Sequence, residues 1–406
     1  MIQQKSRDLH DTQPAIPVIT WSLLAGTVFG KLVYKSTIPF LSLFLLRHDH
    51  LSAMTIGFIL GMSYLAGVFS SLYAGYLTDR FGHRRIMLIS LVILALAISM
   101  IPVLQSVPFI AAVIAIVGLF RNSFETSNQS MVVHVTPVPR QSEVLSIRYA
   151  CVNFAAGLGP LIGAWLGYSG EPSSFLINGV GYLAYTVVLF VLTRQSSGIG
   201  ATTEAKQVHP MKLAYQDIAK NRTFLVGLLS ACMLTYGFIQ IDVTLPQVLA
   251  AHSNAAVHWF AWILALNTAI NIIFQIPLIR FLKRFPKRKT MMVGAVVSAF
   301  GYICFGLAQH LLTYLMAMAV TTMGEMLSLT LIVPYLVEVS NPNHRGAYFG
   351  AGRLRFLGDF AGSAIGGILL QHFGAFSLFG STAVLVASAS LWLAVGRHEI
   401  RAESDS

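Results

Sequence analysis

The sequence predicts an all-α integral membrane protein, with twelve transmembrane helices in two pseudo-symmetric six-helix bundles. Three observations carry that prediction. Only 11% of the 406 residues are charged and 55% are hydrophobic, whereas a soluble globular chain carries about 25% charged residues. Twelve mainly apolar runs approach or exceed the roughly 20 residues that cross a bilayer at about 1.5 Å each. The second six runs also repeat the first six at a shift of about 204 residues.

Taken in order, the chain opens on MIQQKSRDLHDTQPAIP (1–17), too polar for a cleavable signal peptide and read as a short tail. The first span, 18–46, carries Lys31 and Lys35. The second, 53–76, runs into the loop GYLTDRFGHRR, and the third is 86–104. The fourth, 108–133, carries Arg121 and Glu125; the fifth, 145–167, contains AAGLGPLIGAWLG; the sixth is 174–193. The longest internal loop, 194–221, divides six spans from six, so the domains read as 1–193, a linker 194–221, and 222–406.

In the second half, 222–250 carries Tyr236 and Asp242. Span 257–279 bears Asn267, Asn271 and Gln275 on one stripe, and 290–308 follows. Glu325 lies in 311–338, Arg353, Arg355 and Asp359 lie in 346–370, and 377–396 is the last span. The repeat is visible in detail: RFPKRK (Arg284 to Lys289) falls on RFGHRR (Arg80 to Arg85). Arg140 and Arg148 likewise fall on Arg345 and Arg353. Parallel repeats of this kind place a binding site between the halves, near mid-membrane.

Loop charge sets the orientation. The tails and the loops on their side hold twenty Lys and Arg, against Arg47 alone on the other side. By the positive-inside rule both termini lie in the cytoplasm. The net charge of +11 is therefore a topology signal, and nucleic acid is not needed to explain it. Cys151, Cys232 and Cys304 stand singly in apolar segments with no metal-ligand or disulfide spacing. No GxxxxGK[ST] motif and no nucleophile–base set occurs, so neither an ATP-driven pump nor an enzyme is expected from this chain, and no metal or cofactor is expected.

GYLTDRFGHRR (Gly75 to Arg85) resembles the loop signature of the major facilitator superfamily, and the resemblance covers the whole chain in span number, loop charge and repeat. Gly75 and Gly82 permit close helix approach and a tight turn. Asp79 is a carboxylate at a helix end, where a basic partner or a helix N-terminus holds it. The resemblance implies a gating motif of Gly75, Asp79, Arg80, Gly82, Arg84 and Arg85, with Asp79 and Arg80 latching the halves in the outward-facing state. The second-half counterpart of Asp79 is Lys283, so that copy is degenerate.

Two further stretches resemble the drug:proton antiporter branch of that superfamily, which includes multidrug and siderophore exporters. Gly159, Pro160 and Gly163 are similar to the antiporter motif on the fifth span, with Ala164 in place of its last glycine. Arg121 resembles the conserved fourth-span arginine, although Phe124 and Glu125 stand where Gln-Gly is usual.

Lysines at the centre of a span cost roughly 2.5–3.5 kcal/mol each on insertion scales, so Lys31 and Lys35 need a wet or counter-charged setting. The resemblance implies that the first, fourth, seventh and tenth spans line a central cavity. Those spans carry Lys31, Lys35, Arg121, Glu125, Asp242 and Glu325. Expected substrate contacts are Lys31, Tyr34, Lys35, Arg121 and Tyr236, and expected proton carriers are Glu125, Asp242, Glu325 and Asp359. Plainer roles stay open: Arg121–Glu125 and Arg355–Asp359 have the i,i+4 spacing of self-neutralising pairs, and the two lysines also suit gate pairs with Asp242 or Glu325. The resulting expectation is a monomeric secondary transporter of the inner membrane, driven by the proton gradient without a cofactor. It would export an amphipathic small molecule with carboxylate character; uptake of an anionic metabolite or ferric chelate is the alternative.

Overall fold

The computed structural model describes residues 15–166, 171–194, 211–282, 284–341 and 344–404, and every long element in it is a helix. The first half comprises α1 (Val18–Thr37), α2 (Ala53–Phe81), α3 (His83–Met100), α4 (Val107–His134), α5 (Gln141–Trp165) and α6 (Pro172–Arg194). The second half comprises α7 (Arg222–Val243), α8 (Ala256–Leu282), α9 (Lys287–Leu307), α10 (Leu311–Glu338), α11 (357–373) and α12 (375–404). Eleven helices among the described residues are long and apolar enough to cross a membrane. The last of them, Ala347–Val395, is a pair folded at Gly374, which makes twelve. Gly374 (φ +76°) and Gly82 (φ +85°) hold the left-handed backbone that these two corners require.

Several boundaries follow from local chemistry. Ser52 caps α2 by accepting from the Thr55 amide at 3.3 Å, and Asn221 caps α7 by accepting from the Phe224 amide at 2.9 Å. Pro39 turns the end of α1 into a 3-10 step (Ile38–Phe40), after which the chain resumes as Leu41–Arg47. Around Pro246, α7 breaks and resumes as Leu245–His252. Span 346–370, expected as one helix, is instead three pieces: Arg345–Ala351, a 3-10 segment Gly352–Phe356, and α11. The linker adds a short helix, Met211–Lys220, while its residues 195–210 lie outside the described part. So do tail residues 1–14 and Lys283.

The outward faces are apolar: Phe58, Phe69, Phe109, Val180, Val187, Leu312 and Val384 are all exposed. A water-soluble bundle would carry polar residues there. Inside, one buried cluster gathers Leu23, Leu91, Ile114 and Phe175, and another gathers Phe224, Phe260, Tyr302 and Phe379. The halves meet along α2–α11 and α5–α8. Small residues let the backbones touch: Gly57 lies against the Ser363 carbonyl and Gly367 against that of Ala53, while Gly157 lies against Thr268. At the end away from the basic loops the seam is tight. Phe40 meets Phe260 edge to face at 5.7 Å, and the Met54 amide donates to Gln371 Oε1 at 3.1 Å.

A Cβ at Gly57 would overlap the Ser363 carbonyl oxygen, which cannot swing aside as a side-chain tip can. Gly57→Leu should therefore destabilise the closed seam by about 1–3 kcal/mol, the usual cost of overpacking. Thiol labelling of a cysteine at Phe260 should then speed up several-fold; an unchanged rate would mean that this contact does not hold the seam.

Candidate functional site

The sequence-predicted charges converge on two neighbouring compartments. The larger is a central chamber between the halves, made of two adjoining cavities of about 230 and 240 Å3. Both are lined by Lys35 of α1 and by Phe238 and Asp242 of α7. Lys35 Nζ stands 3.9 Å from Asp242 Oδ2, so an ion pair links the halves across the chamber. Proline-directed breaks leave both residues within two turns of a helix interruption, Lys35 ahead of Pro39 and Asp242 ahead of Pro246.

One side of the chamber is basic and aromatic. Arg121 of α4 donates from Nη1 to Tyr34 Oη at 2.7 Å, and its guanidinium lies 4.6 Å from the centre of the same ring. Tyr64 of α2 and Phe356 complete that wall, next to Asp359. The other side is carboxamide and carboxylate. Asn267 of α8 donates to Thr322 Oγ1 at 3.0 Å and to Glu325 Oε2 at 3.4 Å, and Asn271 donates to the Asn267 carbonyl at 2.9 Å. Glu325 and Asp359 are each only 7% exposed, and Glu325 Oε1 and Asp359 Oδ1 have no hydrogen-bond partner among the described residues. Burying an ionised carboxylate with an unsatisfied oxygen is costly, whereas the protonated acid carries no net charge.

The second compartment lies inside the first half, lined by Thr27, Lys31, Arg121, Glu125, Asn128 and Tyr182. Lys31 is not a chamber residue as expected: its ammonium contacts Glu125 Oε1, while Arg148 Nη2 donates to Glu125 Oε2 at 3.1 Å. Glu125 is thus held by two cations from α1 and α5, and in place of the alternative Arg121–Glu125 ion pair Arg121 bonds to Tyr34. Arg148 arrives from α5 because that helix packs along α1. Thr27 Oγ1 donates to Asn128 Oδ1 at 3.2 Å, extending the polar stripe.

Other expected residues land elsewhere. Tyr236 is buried on α7 and lines neither compartment. Arg355 does not pair with Asp359: the 3-10 turn disrupts the i,i+4 register, and Arg355 donates to the Gly352 carbonyl at 3.1 Å. In the loop motif, Gly82 makes the α2–α3 corner, and Arg80 lies 5.6 Å from the Phe81 ring. Arg84 Nε donates to Thr193 Oγ1 at 2.9 Å, tying α3 to α6. Arg85 is exposed; the surroundings of Gly75 and the Asp79 side chain lie outside the described part. In the fifth-span motif, a Cβ on Gly159 would stand 2.7 Å from Lys35 Cβ, so this glycine lets α5 back the lysine-bearing turn of α1. Pro160 lies inside α5, one turn before Gly163.

Sequence reading missed Asn128, Thr322 and Tyr64. The first two had a signal, since Asn128 follows Glu125 by three residues and Thr322 precedes Glu325 by three, each on the same helical face. Tyr64 had none, being one aromatic in an apolar span.

The family model described as Major Facilitator Superfamily matches residues 23–252 and 241–405. The chain is 27% identical to the MFS-type transporter YqjV of Bacillus subtilis, over 92% of this chain and 89% of that one. It is 24% identical to a Na(+), Li(+), K(+)/H(+) antiporter of Planococcus maritimus, over 91% and 94%, and 23% identical to the multidrug resistance protein MdtH of Yersinia pestis, over 86% and 83%. Among solved structures, peptide transporter POT in complex with sulfate aligns with a TM-score of 0.78 at 15% identity, covering 95% of each chain. Nucleoside transporter NupG aligns at 0.78 and 12%, covering 94% of this chain and 99% of that one. With its twelve helices, its polar chamber between two halves and a family match along nearly its whole length, the chain belongs to the major facilitator superfamily and is a multi-pass secondary transporter.

Proposed function

We propose that the protein exports an amphipathic small molecule bearing carboxylate groups, such as a siderophore or an anionic drug, in exchange for protons. One observation carries this reading: Lys35 and Arg121 line the same chamber as two buried carboxylates, Glu325 and Asp359, each with one oxygen that lacks a partner among the described residues. The cations offer charge-assisted bonds to a substrate carboxylate. A carboxylate bound to Lys35 competes with Asp242 for that ammonium, which frees the link between the halves. Glu325 or Asp359 takes the counter-moving proton, so no cofactor is required.

The relatives named as an antiporter and as a multidrug resistance protein support exchange and export. The loop charges support an inner-membrane protein with both termini cytoplasmic. In that orientation the tight seam lies on the outer side. The motif glycine Gly159, which backs Lys35, fits the antiporter reading as well. The monomer suffices, since both halves of the chamber come from one chain.

The test is flux into inside-out vesicles with an acidic interior, comparing a labelled polycarboxylate chelator with a lipophilic cationic dye. Bonds to charged groups contribute about 1.5–3 kcal/mol each. Lys35→Ala and Arg121→Gln should each raise the chelator concentration for half-maximal flux about tenfold or more. Flux of the dye alone, indifferent to both changes, would overturn the anionic-substrate reading.

A further inference from the structure

Near the end of the inter-half interface that carries the basic loops lies another cavity, of about 320 Å3. α10 gives it an apolar wall of Val333, Leu336 and Val337, and Gln129 of α4 brings the opposite half to its rim. Arg353 and Arg355 also line it, both from the 3-10 segment that replaces a helical turn there. Arg355 spends one donor on the Gly352 carbonyl, and its guanidinium lies 4.4 Å from the centre of the Phe356 ring; Arg353 lies 6.0 Å from the same ring. Among the described residues neither has a carboxylate within 4.0 Å, whereas Arg148 at membrane depth has Glu125.

Asp359 acts on Arg355 only from beyond 4.0 Å and no acid acts on Arg353, so two half-buried guanidinium groups in an apolar cavity gain from an added anion. The guanidinium fork also matches a carboxylate better than an ammonium does. Phe356 is shared: it stands beside both arginines here and lines the central chamber with Arg121 and Asp359. Phe356 therefore links the arginines of this cavity to the chamber.

We infer that this cavity is a first recognition subsite, where a cytoplasmic amphipathic anion docks before passing Phe356 into the chamber. Its carboxylate engages Arg353 and Arg355, and its apolar body lies along Val333, Leu336 and Val337. The inference rests on the export reading above and adds a site to it. A solute, rather than a lipid, is the occupant because Phe356, which lies beside both arginines of the cavity, also lines the chamber.

The test is calorimetric binding of octanoate to the full-length protein in phosphatidylcholine nanodiscs, with octyltrimethylammonium as the cationic counterpart. Arg353→Gln/Arg355→Gln should weaken octanoate about tenfold or more. Leu336→Trp, which narrows the cavity without changing charge, should weaken it too. The cationic analogue should not bind. Unchanged affinity in both cavity variants, equal binding of the cation, or displacement of octanoate by added phosphatidylglycerol would each overturn the solute subsite. Binding needs no gradient, so the two readings fail separately. Octanoate held by the arginines in a protein without flux would sink export and leave the subsite, whereas flux with binding indifferent to the arginines would do the reverse.

Discussion

Glu325→Gln should abolish gradient-driven accumulation while leaving exchange of labelled for unlabelled solute intact. The carboxyl is 7% exposed, Asn267 reaches only its Oε2, and Oε1 has no partner among the described residues. Glutamine keeps the shape and the bond to Asn267 but cannot take up or release a proton. A gradient of two pH units is worth about 2.7 kcal/mol per proton, so one-for-one exchange sustains about 100-fold accumulation. The variant should bring that ratio to about 1. Retained accumulation in Glu325→Gln with loss in Asp359→Asn would move the proton to the second buried acid. Retention in both would overturn proton carriage by these carboxylates.

Glu125→Ala should have the largest effect on stability. Glu125 neutralises Lys31 and Arg148 within the first half, and its removal strands two cations that are 15% and 12% exposed. Breaking a buried pair from one side typically costs 3–5 kcal/mol, and the partial exposure of Glu125 argues for about 3. The melting temperature in detergent should fall by roughly 5 °C or more. Lys31→Met/Glu125→Gln, which removes one stranded charge and keeps an acceptor for Arg148, should recover more than half of that loss in a double-mutant cycle. Equal melting of Glu125→Ala and wild type would mean that the triad does not hold α1, α4 and α5 together.

These two carboxylates separate what is legible in a sequence from what is not. In the sequence both read as intramembrane acids on cavity spans, with identical chemistry. Only packing distinguishes them: Glu125 is clasped by cations from two neighbouring helices, and Glu325 has a single amide. Helical spacing suggested Arg121–Glu125 and Arg355–Asp359, yet neither pair forms. In the first, Tyr34 and Lys31 from α1 offer better-placed partners. In the second, the helix itself changes to a 3-10 segment.

The sequence by itself determined the twelve-span helical architecture and the internal repeat. These properties are summed over many residues, and the bilayer enforces them span by span: too few charges leave no soluble alternative, and 20 apolar residues fit one hydrocarbon thickness. Tertiary structure alone decided that Lys35 reaches Asp242 while Lys31 turns into its own half. It also decided that Phe356 lies beside Arg353 and Arg355 while lining the chamber, and that neither arginine forms an ion pair among the described residues. The physical reason is that a charge at membrane depth takes the partner its rotated and broken helix brings within about 4 Å. That choice rests on the rotation and breaks of each helix, which no spacing along the chain encodes.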